Sequence, residues 1–393
     1  MIYLDNAATS WPKPEAVYRA ADRALREESG NPGRSGHALS LAARARVEEA
    51  RRLLARLLGA ADPSRIVFAL NATDALNLAI KGTVFKALVA GKSAHAVTSA
   101  MEHNSVTRPL AALAGMGLAV TKLRAGLSRG VDPGDLEKAL RPDTRLVVVN
   151  HVSNVHGAVS PIAELGAICR ARGVPFLVDA SQSAGSVPVD LRSLPVDMLA
   201  FPGHKGLFGP QGTGALYIAK GCEPAPAREG GTGSRSEDAA QPEDLPDRYE
   251  SGTMNVPGIA ALGEGARFLL ETGVEKVGAH EAGLGGALVA ALEGAPGLKT
   301  YPPPGGAIHN GIVSVSFEGI DPARAAMILE SAFGIAARSG LHCAPDAHEG
   351  IGTLRAGGTL RISAGFFNTA EEIALCAEAL REIARSAKLR PPH

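Results

Sequence analysis

The chain has 393 residues, with 40 Lys and Arg against 40 Asp and Glu, and so no formal net charge. That balance removes any general electrostatic pull toward nucleic acid or an anionic membrane, and 45% hydrophobic with 20% charged residues excludes disorder throughout. Glycine is abundant at 46 residues and aromatics are scarce at 4%, so the core should be Ala, Leu, Val and Ile, with many tight turns.

The length predicts two domains. The opening MIYLDNAATS has no basic run before an apolar stretch, so no secretory signal is expected. No apolar run approaches the length of a membrane span. A soluble cytoplasmic protein with reduced cysteines is the expectation.

In chain order, the segment up to Ser40 reads as irregular, with Pro12 and Pro14 flanking Lys13, a short helix over 15–28 and a break at NPGRSG. Leu41 to Leu58 has helical spacing and ends at Gly59. Strands are predicted at Ile66–Leu70, Ala96–Ala100, 118–123, 145–152 and 175–180, separated by helical stretches such as 73–90 and 161–172. Short all-apolar strands between amphipathic helices favour a mostly parallel sheet covered on both faces. The strands at 196–201 and 213–218 have a Gly-rich segment between them in place of a helix, which predicts an antiparallel entry. Residues 223–247, rich in Pro, Gly, Ser and acids, read as a long surface loop. Helices at 258–272, 274–293, 322–333 and 369–386, with a strand at 311–317, form a second, smaller α+β unit. We place an N-terminal arm at 1–14, a large domain at 15–255 and a small domain at 256–393.

The chemistry concentrates in DMLAFPGHKGLFGPQGTGALYI, where Lys205 follows an apolar strand between Gly203 and Gly206. An unpaired ammonium there would be costly to bury. Asp179 ends the upstream strand PFLVDA, on the sheet edge where α/β proteins bind ligands. An aldehyde cofactor such as pyridoxal phosphate would join the two, needing a lysine for its Schiff base and a carboxylate at its pyridine nitrogen. Asn71, Ala72 and Thr73 lie where a strand passes into a helix, a place suited to a phosphate.

The cysteines Cys169, Cys222, Cys343 and Cys376 form no CxxC pair. Cys169 and Cys376 fall in helical stretches among Ala and Leu and read as buried hydrophobes, and Cys222 as an incidental surface residue. Cys343 sits in a non-periodic loop between His342 and Pro345. Its spacing to His342 and His348 is unspecific for a metal, and none is expected.

The motifs YLDNAATSWPKP, NPGRSGH, NATDALNLAI, MEHNSVTRPL, HVSNVHGAVSPI, FLVDASQSAGSVPVD, FPGHKGLFGPQGTG, YESGTMNVPGIAAL, RSGLHCAP and LRISAGFFNT occur in this order over nearly the whole length. In them the chain resembles the class V aminotransferase group of fold type I pyridoxal-phosphate enzymes, in its cysteine desulfurase and selenocysteine lyase branch. The resemblance implies an α/β fold of the PLP-dependent transferase type, with a mostly parallel seven-stranded sheet and a smaller α+β C-terminal domain.

It also implies roles. Lys205 would carry the pyridoxal 5′-phosphate, Asp179 would pair with the ring nitrogen and His103 would stack on the ring. Gln182 and Asn154 would lie near the ring hydroxyl, and Thr73, His204 and the Ala72 amide would hold the phosphate. Arg361 would clamp the substrate carboxylate, Asn154 beside it. Cys343 would accept sulfur as a persulfide. Beside what the resemblance implies, Arg338, five residues before Cys343, reads either as a residue that fixes the acceptor loop or lowers the thiol pKa or as a surface arginine. The family is homodimeric, and Gly231 and Thr232 resemble residues that reach the partner's phosphate. Two positions depart from related enzymes: Pro202 stands where some have a phosphate-binding Ser, and Ala72-Thr73 where others have two threonines.

The implied reaction converts L-cysteine to L-alanine, with Lys205 removing the α-proton and Cys343 attacking the substrate sulfur. Selenocysteine lyase activity, another β-elimination and transamination are the alternatives. Only 18 positions separate Cys343 from Arg361, which resembles the shorter acceptor loops of the family and implies that sulfur is handed on poorly unless an acceptor protein or a small thiol approaches the loop.

Overall fold

The computed structural model describes residues 1–388 except 29, 34–35, 127–129, 236 and 304–309. Arg34 and Ser35 of the NPGRSGH motif therefore lie outside the described residues.

The chain begins with strand β1 (Ile2–Tyr3), then helices α1 (Glu15–Glu27) and α2 (Ala38–Leu58). There follow β2 (Ile66–Ala69), α3 (Ala72–Val89), β3 (His95–Ser99), α4 (Asn104–Ala114), β4 (Ala119–Leu123), the ribbon β5 (Ala125–Gly126) and β6 (Gly130–Val131), and α5 (Pro133–Ala139). Next come β7 (Thr144–Asn150), α6 (Ile162–Ala171), β8 (Phe176–Asp179), β9 (Met198–Pro202), β10 (Gly214–Ile218), α7 (Val256–Thr272) and α8 (Val274–Leu292). The C-terminal part holds β11 (Leu298–Thr300), β12 (Ile312–Phe317), α9 (Pro322–Phe333), β13 (Ile335–Ala336), β14 (Arg338–Gly340), α10 (Pro345–Gly350), β15 (Thr359–Ser363) and α11 (Ala370–Lys388).

Seven strands form the large sheet in the order β2-β10-β9-β8-β7-β3-β4. β10 alone runs antiparallel to its neighbours β2 and β9, as the missing helix between 201 and 213 predicts. Alternate residues of each strand enter opposite cores. Val147, Val149, Phe176 and Val178 pack with α2, α6 and α7, whereas Leu146, Val148 and Leu177 pack with α3 and α4. Burial on both faces is why these strands read as unbroken apolar runs.

A four-stranded sheet, β11-β12-β15-β14, forms the smaller unit with α8, α9 and α11. The division drawn at 255 precedes α7, whose Ile259, Leu262, Ala266 and Leu269 belong to the large sheet's core. The chain passes from one core to the other within α8, between Val277 and Leu284.

Three local details depart from expectation. α2 starts at Ala38, ahead of Leu41, because the His37 side chain accepts from the Ser40 amide. The arm is not free of the small unit: β1 pairs in parallel with β13. Cys222 is half-buried, and burial pushes its thiol up to about 12.

Candidate active site

β7, β8 and β9 run parallel in a register that aligns Asn150 with Asp179 and Asp179 with Ala200. Asp179, at the end of β8, and Lys205, just beyond β9, are thus delivered to the same sheet edge. The Lys205 turn is held by backbone bonds: Gly203 N to Thr213 O at 2.8 Å, Gly209 N to Gly203 O at 2.7 Å and Phe208 N to Lys205 O at 2.9 Å. Glycine is obligatory where this turn meets the one after β8. A Cβ on Gly185, whose φ is +94°, would lie 2.1 Å from the Gly206 carbonyl oxygen, and one on Gly206 would lie 2.5 Å from the Ala184 oxygen.

Burial pushes the Lys205 amine down to about 8, with Arg361 and Arg338 acting the same way and Asp179 opposing. Asp179 is itself buried, and its Oδ1 accepts from the Ser181 amide at 2.9 Å and the Ser181 hydroxyl at 2.5 Å.

His103 caps α4 from its N-terminal side. Its Nδ1 accepts from the Ser105 amide at 3.0 Å and lies 2.7 Å from the Ser105 hydroxyl, which is 2.9 Å from the Thr73 hydroxyl. An Nδ1 that accepts carries no proton, so the Ser105 hydroxyl donates to it and the Thr73 hydroxyl donates to Ser105. Burial pushes His103 down to about 4, with Asp179 opposing and Lys205 reinforcing, so the ring is neutral with its proton on Nε2.

α3 begins at the same edge. Asn71 accepts from Asp74 N through its side chain at 2.9 Å and from Ala75 N through its carbonyl at 3.2 Å. The amides of Ala72 and Thr73 therefore remain as first-turn donors, at the positive end of an 18-residue helix.

Opposite these groups lies Arg361, on β15 and 1% exposed. Its Nη1 donates to Asn154 O and its Nη2 to Asp5 Oδ1, both at 3.0 Å, while Nε is buried without a partner. Burial holds its pKa below the ordinary guanidinium value, against Asp5. Arg338 donates from Nη2 to the Cys343 sulfur at 3.8 Å. The Asn154 side chain donates to His342 O at 2.7 Å and that of Gln182 to Ala7 O at 2.9 Å. The His204 carbonyl accepts from Ser10 N at 3.0 Å and the Thr9 hydroxyl at 3.1 Å. Burial, Lys205 and Lys13 push its ring down to about 4, and its Nδ1 is buried without a partner.

One cavity of about 220 Å³ brings together Ala72, Thr73, His103, Asn154, Asp179, Gln182, His204, Lys205, Arg338 and Arg361. Cys343, half-buried, reaches this group through Arg338. Gly231 and Thr232 lie elsewhere, in a cleft with Asn31, Arg44 and Glu250. Sequence reasoning missed Asp5, Ser105, Ser181 and His342 as parts of the site. Asp5 stood in YLDNAAT, but only the fold brings it to a residue 356 positions away. Among the described residues no group of three or more His, Cys, Asp or Glu could hold a metal, and none of the helices searched is long and apolar enough to cross a membrane.

The aminotransferase class-V family profile matches residues 2–375. A probable cysteine desulfurase of Methanothermobacter thermautotrophicus is 36% identical, covering 98% of this chain and 94% of its own, and one of Pyrococcus abyssi is 34% identical, covering 98% and 95%. Among solved structures, the apo cysteine desulfurase of Thermococcus onnurineus NA1 superposes with a TM-score of 0.90 at 33% identity, over 98% of this chain and 95% of that one. An Escherichia coli cysteine desulfurase carrying an S-sulfonic acid gives 0.87 at 28% identity, over 99% and 95%.

Proposed function

The chain belongs to the aminotransferase class-V family, and on that premise we propose how its residues carry out a cysteine desulfurase reaction. The activity converts L-cysteine to L-alanine and passes the sulfur on as a persulfide. The observation that carries the assignment of roles is the convergence of Lys205, Asp179, His103 and Arg361 on one cavity, with the Cys343 sulfur bonded to Arg338 of the same cavity.

The residues present fit pyridoxal 5′-phosphate. The α3 amides of Ala72 and Thr73 face the cavity as an anion cradle. His204 Nδ1 and Arg361 Nε are buried polar atoms still lacking a partner. The Thr73 hydroxyl, whose proton goes to Ser105, would have to turn to serve the phosphate, so the amides and His204 hold it first. The absent hydroxyls at Ala72 and Pro202 leave this cradle dependent on backbone donors. When bound, the cofactor supplies an electron-withdrawing ring that acidifies the α-carbon of an attached amino acid.

The protein does the rest. Asp179, its Oδ1 fixed by Ser181, offers a negative charge to the ring nitrogen. His103 would offer a neutral face for stacking, and Gln182 and Asn154, which line the same cavity, would hold the ring hydroxyl. Burial pushes Lys205 Nζ down to about 8, far below an ordinary lysine, which makes it the base for the α-proton near neutral pH. Arg361 holds the substrate carboxylate through Nε and the free hydrogens of its Nη atoms, since Asp5 and Asn154 already occupy the others. The Cys343 thiolate then attacks the substrate sulfur. One S–S bond forms, one C–S bond breaks with its electron pair staying on carbon, and a proton completes alanine. Cysteine and a protein thiol thus give alanine and a protein persulfide without an outside oxidant.

Gly231 and Thr232 lie outside their own chain's cavity, which supports a homodimer in which they reach the partner's phosphate. The site of action is the cytoplasm, and the persulfide passes to an acceptor protein or small thiol.

The test is spectroscopic and chemical. The purified protein should show a visible cofactor band that borohydride bleaches and Lys205→Ala lacks. It should form alanine from cysteine, and Cys343→Ala should lose persulfide. A colourless protein that releases no alanine would end this reading. Retained alanine formation from selenocysteine alone in Cys343→Ala would shift it to a lyase.

A further inference from the structure

The backbone around Cys343 is held in a way its neighbours in sequence do not explain. His342 and Cys343 are consecutive non-glycine residues with φ of +48° and +58°, in the left-handed region that side chains disfavour. Two bonds from outside the loop hold this conformation: Asn154 Nδ2 donates to His342 O, and Asn104 N donates to Cys343 O, both at 2.7 Å. Asn104 is the first residue of α4, directly after the capping His103, so its amide has no intrahelical acceptor and is free to point outward. α4 is a firm support, with Val106, Leu110 and Leu113 buried in the core beneath the large sheet.

We infer that Asn104 is a positioning residue for the sulfur acceptor: its main-chain N–H pins the Cys343 carbonyl to the N-terminus of α4, so that the ring-stacking His103 and the thiol keep a fixed separation. The inference rests on the desulfurase reading for its kinetic consequence, though not for the pin itself. The Asn104 side chain is incidental, meeting Thr107 at 3.5 Å.

The pin can be removed without breaking the helix. Proline is favoured at the first helical position, where no helical bond is lost. The residue before a proline prefers an extended conformation, and His103 already has φ −67° and ψ 155°. Asn104→Pro therefore deletes the N–H and puts ring carbon against the Cys343 carbonyl, while Asn104→Ala keeps the N–H and removes only the side chain.

Three readouts are compared: the alkylation rate of Cys343 by iodoacetamide, mapped by mass spectrometry; exchange of the cysteine α-proton with solvent deuterium; and single-turnover alanine formation. Asn104→Pro should raise alkylation about fivefold and slow alanine formation about tenfold, with α-proton exchange unchanged within about twofold. Asn104→Ala should match the wild type in all three. Unchanged alkylation and turnover in Asn104→Pro, equal effects of the two substitutions, or a parallel loss of α-proton exchange would each overturn the inference. Should Asn104→Pro not fold, hydrogen exchange of the wild type decides: a slowly exchanging Asn104 amide supports the pin, and a freely exchanging one removes it. A wild type that makes no alanine would refute the desulfurase reading, while the alkylation comparison would still report on the pin.

Discussion

The edge of the large sheet and the segment from Arg338 to Gly358 each carry part of the groups assigned to the proposed reaction, and they are held by different means. Asp179 and Lys205 stand where they do because parallel strands in fixed register bring them there, and the turns that carry them meet backbone to backbone through Gly185 and Gly206. Cys343 stands on a loop between β14 and α10, kept in a disfavoured conformation by individual hydrogen bonds. On the proposed roles, proton transfer at Lys205 tolerates little displacement, whereas a Cys343 thiol that takes up sulfur and then gives it away needs a seat that can be left. The lesson is that precision comes from register, and release from a small number of breakable bonds.

Substitutions on the two sides should therefore fail differently. The largest effect is expected for Asp179→Asn, which removes the charge and leaves the shape. Alanine formation should fall by about two to three orders of magnitude, while iodoacetamide alkylation of Cys343 stays unchanged. A parallel change in alkylation would break the separation of the two halves.

Stability should show the same contrast. Gly206→Ala forces a methyl to within 2.5 Å of a backbone oxygen and should cost about 3 kcal/mol, read as a lower urea midpoint at constant slope. Gly340→Ala has φ of +105° but nothing within 4 Å of its Cβ, so only conformational strain remains, about 1–2 kcal/mol. Equal costs would mean that the acceptor loop is packed as tightly as the sheet edge.

A further effect is one both regions share. Burial pushes His103 and His204 on the sheet side, and His156 and His348 behind the acceptor loop, down to about 4 from an ordinary 6.5. A group whose folded pKa is depressed contributes stability above its unfolded value and loses it as pH falls through the folded one. Thermal unfolding should hence move to lower temperature as pH drops from 6.5 toward 4. His348→Gln, which keeps a polar side chain without the titration, should make that slope shallower.

Much of the sheet side was legible in the sequence. Runs such as LVVV and FLVD announce strands buried on both faces, and Lys205 and Asp179 are charges at the ends of such runs, which makes them conspicuous. The start of α3 was legible too, since Asn71, Ala72 and Thr73 stand where a strand passes into a helical pattern. The acceptor side was legible only through the resemblance of RSGLHCAP, because a loop held by single hydrogen bonds leaves no periodic trace. Pairings between distant segments were not legible: Asp5 with Arg361, β1 with β13, and the buried pair in which Arg51 binds Glu250 at 2.7 Å and fastens the long loop to α2. Such partners are fixed by the fold as a whole, and neither residue's neighbours hint at the other.

The first strand has a consequence for the order in which this molecule becomes complete during synthesis. Residues 2–5 pair with segments far along the chain: Ile2 N bonds Gly334 O, Leu4 N bonds Ala336 O, and Asp5 binds Arg361. A ribosome that has produced the whole seven-stranded sheet still holds a protein whose strand β1 has no strand to pair with. Competence therefore arrives late, once β13 and β15 have both emerged to receive β1 and Asp5.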